Sequence, residues 1–178
     1  MEINSVVDSG TTVLLRLPFA SPPDWLVPEL IFTALSKIVV VDDDFSIGQA
    51  WGRRFSSKDL PMKPAGFSYF EDTESFRKWF RSQPRNSLDY LFLIDLEIHG
   101  SRESGLSLIE DLKLGDSSVL VTSRYDEDSI LNTCRRLGLK ILPKIMLADI
   151  AMSIRNAPNE AQDTSRLISQ FEPAVLQV

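Results

Sequence analysis

Cysteine is nearly absent from this 178-residue chain: Cys134 stands alone. No internal disulfide is available, so a reducing, cytoplasmic compartment is the expectation. Long apolar runs are missing too. Stretches such as residues 38–41 are far short of the roughly 20 residues a membrane span needs, which excludes a transmembrane role and gives no reason to expect membrane contact. Residues 1–20 have no basic start followed by an unbroken apolar stretch, because Glu2, Asp8 and Arg16 interrupt them, so export is not expected. A basic surplus is also lacking. Nineteen Lys and Arg face 25 Asp and Glu, and the net charge of -6 has the wrong sign for gripping nucleic acid through its phosphates. The rest is an ordinary globular composition, 43% hydrophobic and 25% charged, in a length that suits one domain better than two.

The chain divides by pattern. In residues 1–20 the alternating run Thr11-Thr12-Val13-Leu14-Leu15-Arg16-Leu17, closed by Pro18, reads as one strand. Residues 21–36, with Pro22, Pro23 and Pro28 around Trp25, read as a Pro-rich linker that isolates this strand from the main domain. That domain is expected over residues 37–157, with residues 158–178 a C-terminal tail in which Leu167, Ile168 and Phe171 have the spacing of a helical turn or two. Within the main domain short apolar runs alternate with amphipathic stretches. Strands are expected at 38–41, 67–70, 90–94, 119–121 and 139–142, and helices from Phe45 and at 73–82, 104–114, 127–137 and 146–154. Strands apolar on both faces, each followed by an amphipathic helix, specify an α/β fold: a doubly wound, five-stranded parallel sheet with helices on both faces.

In such a sheet ligands bind at the carboxyl ends of the strands, near the point where strand order reverses. Those ends carry Asp42-Asp43-Asp44, then Asp95, then Thr122-Ser123, then Pro143-Lys144. Carboxylates gathered at one rim repel one another, and a hard divalent cation with oxygen ligands keeps such a cluster ionised. Magnesium suits it, since it takes one or two carboxylates and leaves room for phosphate oxygens. A phosphoryl group on a third carboxylate would then face Lys144 and Thr122. Asp44 reads as the cap of the helix that begins near Phe45.

As a set, the segments Ile38-Val39-Val40-Val41-Asp42-Asp43-Asp44, Leu93-Ile94-Asp95, Ser104-Gly105-Leu106, Val121-Thr122-Ser123 and Leu142-Pro143-Lys144 resemble the receiver domain of two-component response regulators over residues 37–156. That resemblance implies a flavodoxin-like fold and a switch in a phosphorelay, which catalyses its own phosphorylation and dephosphorylation. Asp95 would be the phosphoacceptor, Asp42 and Asp43 the acidic pair that positions Mg2+ together with Asp95, and the backbone carbonyl of Glu97 a further metal ligand. Thr122 would be the switch hydroxyl and Lys144 the phosphate-pairing cation. The implied partners are a histidine kinase or a histidine phosphotransfer protein, with a homodimer as a second form of association. Three positions depart from the pattern: Pro143 precedes the lysine instead of following it, Ile141 stands where many receivers have an aromatic, and His99 occupies a position that is often proline. His99 reads as a solvent-exposed loop residue. Glu97 and Arg124 flank the family's path for attacking water, and their opposite charges would let them close a lid over an acyl phosphate.

The run Ser9-Gly10-Thr11-Thr12 through Leu17-Pro18 resembles the closing strand of a histidine-kinase ATP-binding domain, which implies that the chain is the C-terminal part of a hybrid histidine kinase. A reading from another class stands beside these: a pseudo-receiver that keeps the sheet and serves only as a docking or dimerisation module.

Overall fold

Apolar side chains on both faces of a strand need cover on both sides of the sheet, and the way this chain supplies that cover determines its architecture. The computed structural model describes residues 1–18, 20–83 and 89–155. The tail expected at 158–178, with its turn at Leu167, Ile168 and Phe171, lies outside the described residues. Strands β1 (Glu2–Val6) and β2 (Gly10–Leu14) come first, then β3 (Glu29–Phe32). The alternating part runs as β4 (Lys37–Val41), α1 (Phe45–Ser56), β5 (Gly66–Phe70), α2 (Thr73–Ser82), β6 (Tyr90–Asp95), α3 (Gly105–Leu112), β7 (Ser118–Thr122), α4 (Asp128–Leu137) and β8 (Lys140–Pro143). A last strand, β9 (Ala151–Ile154), ends the described chain. No helix among the described residues is long and apolar enough to cross a membrane.

The central sheet has the order β5-β4-β6-β7-β8 and every neighbouring pair is parallel. This is the doubly wound, flavodoxin-like arrangement, with its reversal point between β4 and β6. Side chains alternate across it as the two-residue period demands. Val39, Val41, Ile94, Leu120 and Ile141 join Phe76 of α2, Leu108 of α3 and Cys134 of α4 in one core. Ile38, Val40, Leu93, Val121 and Leu142 face the other way, onto Trp51 and Phe55 of α1.

That second face departs from expectation. The helix expected over 146–154 is replaced by a 3-10 turn at Lys144–Met146 and by β9, which pairs in parallel with β3 through the register Glu29 to Ala151 and Phe32 to Ile154. Met146, Ile150 and Ile154 do have helical spacing, but a helix would also need its carbonyls for internal bonds. Arg54 of α1 donates to the carbonyl of Leu147 and, at 2.6 Å, to that of Ile150, and the chain turns outward to its strand partner instead. Leu147 and Ile150 are still buried. Four strand-helix units are therefore complete, and the fifth ends in a ribbon.

Residues 21–36 likewise do more than span a gap. The Val27 amide donates to the Ile141 carbonyl at 3.0 Å, and the Ile141 amide to the Trp25 carbonyl at 2.8 Å, so residues 25–27 cover the free edge of β8. Val27, Leu30 and Phe32 are buried in the core beside α1. In the N-terminal segment, the single strand read from Thr11 onward is β2, and its partner is β1, paired antiparallel from Glu2 with Leu14 to Val6 with Gly10. Every residue of this hairpin is exposed.

Candidate functional site

The reversal point brings the acidic ends of β4 and β6 side by side. Asp42 follows β4, and Asp95 is the last residue of β6. The turn between β4 and α1 is fixed locally: Asp42 Oδ1 accepts from the Asp44 amide at 2.9 Å, and Asp44 Oδ1 accepts from the Ser46 amide at 2.8 Å as the cap of α1. Behind Asp95, α3 starts at a glycine because nothing larger fits. A Cβ on Gly105 would stand 1.8 Å from the Asp95 carbonyl oxygen. Thr122 closes β7, and Lys144 follows Pro143 at the end of β8.

Asp42, Asp43, Asp95, Thr122 and Lys144, singled out from strand ends in the sequence, meet at this rim. One carboxylate oxygen each from Asp42, Asp43 and Asp95 lies within 4.8 Å of the others. Lys144 Nζ sits 2.9 Å from Asp42 Oδ2 and 2.9 Å from Asp95 Oδ2. Only its contact with Asp95 has hydrogen-bond geometry, so Asp42 Oδ2 is buried with an opposite charge nearby but no hydrogen-bond partner. Asp42 is 1% exposed and Asp95 5%. Burial pushes the Asp95 carboxyl from 3.8 up to about 6; the neighbouring charge of Asp42 adds to the rise, and Lys144 and the Glu97 amide oppose it. Burial raises the Asp42 carboxyl as well, against the opposing pull of the Lys144 ammonium. For Lys144, burial favours the neutral amine but is outweighed by the two carboxylates, which hold its ammonium above the ordinary lysine range.

Three carboxylates, two of them buried, converging on one point suit a small hard cation, and magnesium fits this donor set. Asp42, Asp43 and Asp95 would hold it, and Glu97 lines the same cavity. The cavity has a volume of about 510 Å³ and is bordered also by Phe45, Thr122, Ser123 and Lys144. The Thr122 Oγ1 accepts from the Arg124 amide at 3.0 Å, leaving its proton available for a further acceptor.

Two charged residues expected to meet do so: Arg124 Nη1 donates to Glu97 Oε1 at 2.6 Å. The same guanidinium also takes both oxygens of Glu127. His99 is the residue that sequence reasoning undervalued. Its ring is 83% exposed, as a loop residue's should be, yet Nδ1 lies 2.9 Å from Asp43 Oδ2. The clue was available in the topology, since β4 and β6 are neighbours and the loops leaving them must face each other across the rim.

No family model matches the chain, and no curated protein matches it in sequence. Among solved structures it is similar to the response regulator RcsB of Salmonella typhimurium, with 14% identity and a TM-score of 0.49 over 80% of this chain and 65% of that one. It is also similar to RcsB of Salmonella enterica serovar Typhimurium bound to promoter P1flhDC in the presence of the phosphomimetic BeF3-, with 16% identity and a TM-score of 0.41 over 75% of this chain and 58% of that one. A third is a LuxR-family two-component response regulator from Aurantimonas sp. SI85-9A1, with 15% identity and a TM-score of 0.43 over 75% of this chain and 97% of that one. This chain thus spans less than two thirds of the length of either RcsB chain.

Proposed function

We propose that the chain contains a receiver domain, which takes a phosphoryl group from a phosphohistidine onto Asp95 and changes conformation in response. The observation that carries this reading is the placement of Lys144 Nζ 2.9 Å from the oxygens of two buried carboxylates, Asp42 and Asp95, beside a third at Asp43. A purely structural rim would gain nothing from burying two acids that a single lysine must neutralise.

In the reaction, a carboxylate oxygen of Asp95 attacks phosphorus in line. The new oxygen-phosphorus bond forms as the phosphorus-nitrogen bond breaks, and the donor imidazole leaves with the electron pair. Lys144 turns from the Asp95 oxygen to the equatorial phosphoryl oxygens, where negative charge is concentrated. The Thr122 hydroxyl, which accepts from the Arg124 amide, donates its own proton to a phosphoryl oxygen and draws the loop after β7 inward. A Mg2+ ion held by Asp42, Asp43 and Asp95 would add charge neutralisation to that of Lys144. Water later attacks phosphorus, releases inorganic phosphate and restores the Asp95 carboxylate. Asp42, Asp43, Asp95 and the Glu97 carbonyl form the proposed metal set.

The partners on this reading are a histidine kinase or a histidine phosphotransfer protein in the cytoplasm, and a second copy of the chain on dimerisation. Residues 1–20 are assigned to the end of a kinase ATP-binding domain in a longer hybrid kinase, and the receiver unit includes the partly buried Trp25 and the buried Val27, Leu30 and Phe32. The test is intact mass after incubation with a small phosphodonor, with and without Mg2+. One added phosphoryl group, dependent on Mg2+ and absent from Asp95→Asn protein, is expected. The docking-module reading draws on Ile141, which is fully buried in the core and cannot swing as an aromatic would; it requires no phosphoryl uptake under any of these conditions.

A further inference from the structure

We propose that the stacked rings of Trp25 and Tyr125 link the phosphoryl site to the segment ahead of the receiver, holding the loop after β7 in its resting position until that contact is broken. The inference rests on the phosphoryl reading above and adds a control that lies outside the acidic cavity. Three observations carry it. Tyr125 stands three residues beyond Thr122 on the loop after β7, and the Arg124 amide between them donates to Thr122 Oγ1 at 3.0 Å. The ring centroids of Trp25 and Tyr125 lie 6.1 Å apart at an interplanar angle of 27°, within the range at which aromatic pairs attract. The backbone around Trp25 is anchored to β8 on both sides: Lys140 Nζ donates to the Asp24 carbonyl, the Ile141 amide to the Trp25 carbonyl at 2.8 Å, and the Val27 amide to the Ile141 carbonyl at 3.0 Å.

Sheet order gives this arrangement a direction. Asp95 ends β6, Thr122 ends β7, and the Trp25 segment lies along the outer edge of β8. A Thr122 hydroxyl that reaches toward a phosphoryl group on Asp95 carries its loop toward β6, and so away from β8. Tyr125 goes with the loop, whereas Trp25 is tied to Ile141, which is fully buried in the sheet. The stack and the inward loop position therefore compete, which supplies the two-state element that coupling between sites requires. Both rings are only partly buried, so the contact can part without opening the core. Linkage makes the effect reciprocal: a pull on residues 1–24 that lifts Trp25 from Tyr125 favours phosphoryl uptake, and phosphoryl uptake frees Trp25.

The experiment uses the whole chain labelled with 5-fluorotryptophan, which places one fluorine at each of Trp25, Trp51 and Trp79. It is titrated in Mg2+ with beryllofluoride, a stable mimic of the acyl phosphate whose own fluorine signal reports binding. Trp25→Phe identifies the Trp25 resonance. That resonance is expected to shift on saturation in the natural sequence and to remain in place in Asp95→Asn. Trp25→Leu and Tyr125→Leu are each expected to tighten beryllofluoride about three- to tenfold, and the double variant no more than either one. A Trp25 resonance unmoved by bound beryllofluoride overturns the inference, and so do single variants that bind as the natural sequence does, or effects that multiply in the double variant. Because the shift is read on the natural sequence, it decides the matter even where a leucine variant fails to fold. Each of those results leaves the phosphoryl reading standing, since beryllofluoride has bound. A natural chain that takes no beryllofluoride removes both together.

Discussion

Arg124 Nη1 lies 2.6 Å from Glu97 Oε1, joining the loop after β7 to the loop after β6, where Glu97 borders the acidic cavity. Both residues are about half exposed, so in the resting protein the pair is a weak clamp. Its consequence is kinetic. Over an acyl phosphate it would impede water, and Glu97→Ala and Arg124→Ala are each expected to speed dephosphorylation by about two- to fivefold. Because Arg124 also holds Glu127, only a double-mutant cycle isolates the Glu97 contribution. The double variant should be less affected than the product of the two single effects. Strict multiplicativity would make the two residues independent surface charges.

Stability without a metal should depend on pH through Asp95. The folded protein holds this proton more tightly than the unfolded chain does, since burial raises the carboxyl from 3.8 to about 6. Stability from this group is therefore greatest below the unfolded value and declines as pH rises through the folded one. Relative to Asp95→Asn, the natural sequence should lose up to about 3 kcal/mol of unfolding free energy between about pH 4 and pH 7, measured by urea denaturation in chelator. Adding Mg2+ at the upper end should restore it. A difference between the two proteins that does not change with pH would contradict the electrostatics described for the site.

Shortening the chain separates the hairpin from the packed segment beyond it. Removing residues 1–24 should leave the urea midpoint almost unchanged, because β1 and β2 are exposed throughout. Removing residues 1–35 takes away Val27, Leu30 and Phe32, which are buried beside α1, and uncovers the edge of β8. A loss of more than about 4 kcal/mol is expected, enough to unfold many domains of this size. Equal midpoints for the two shortened chains would restore residues 21–36 to the role of a spacer.

Local patterns explain how much of this was legible. Ile38 to Val41 and Phe92 to Ile94 are buried on both faces of a parallel sheet, and such strands read as continuous apolar runs. Asp42, Asp95, Thr122 and Lys144 were legible in turn, because the ends of parallel strands share one rim. The concealed part is non-local. β3 pairs with β9 from the far end of the described chain, and no periodicity around Ile154 reveals a partner at Phe32. The hairpin escaped for a related reason: β1 carries Asn4 and Ser5 and has no alternation strong enough to mark a strand beside β2. His99 was legible only by combining its position after Asp95 with the adjacency of β4 and β6.

The central claim is that Asp95 becomes an acyl phosphate. Borohydride reduces such a group to homoserine, so the chain should be treated with a small phosphodonor and Mg2+, reduced, digested and read by tandem mass spectrometry. Homoserine at position 95, and unmodified aspartate at Asp42, Asp43 and Asp44, is the predicted result. Aspartate intact at 95 in protein that has gained a phosphoryl group, or no gain at all, would contradict the account.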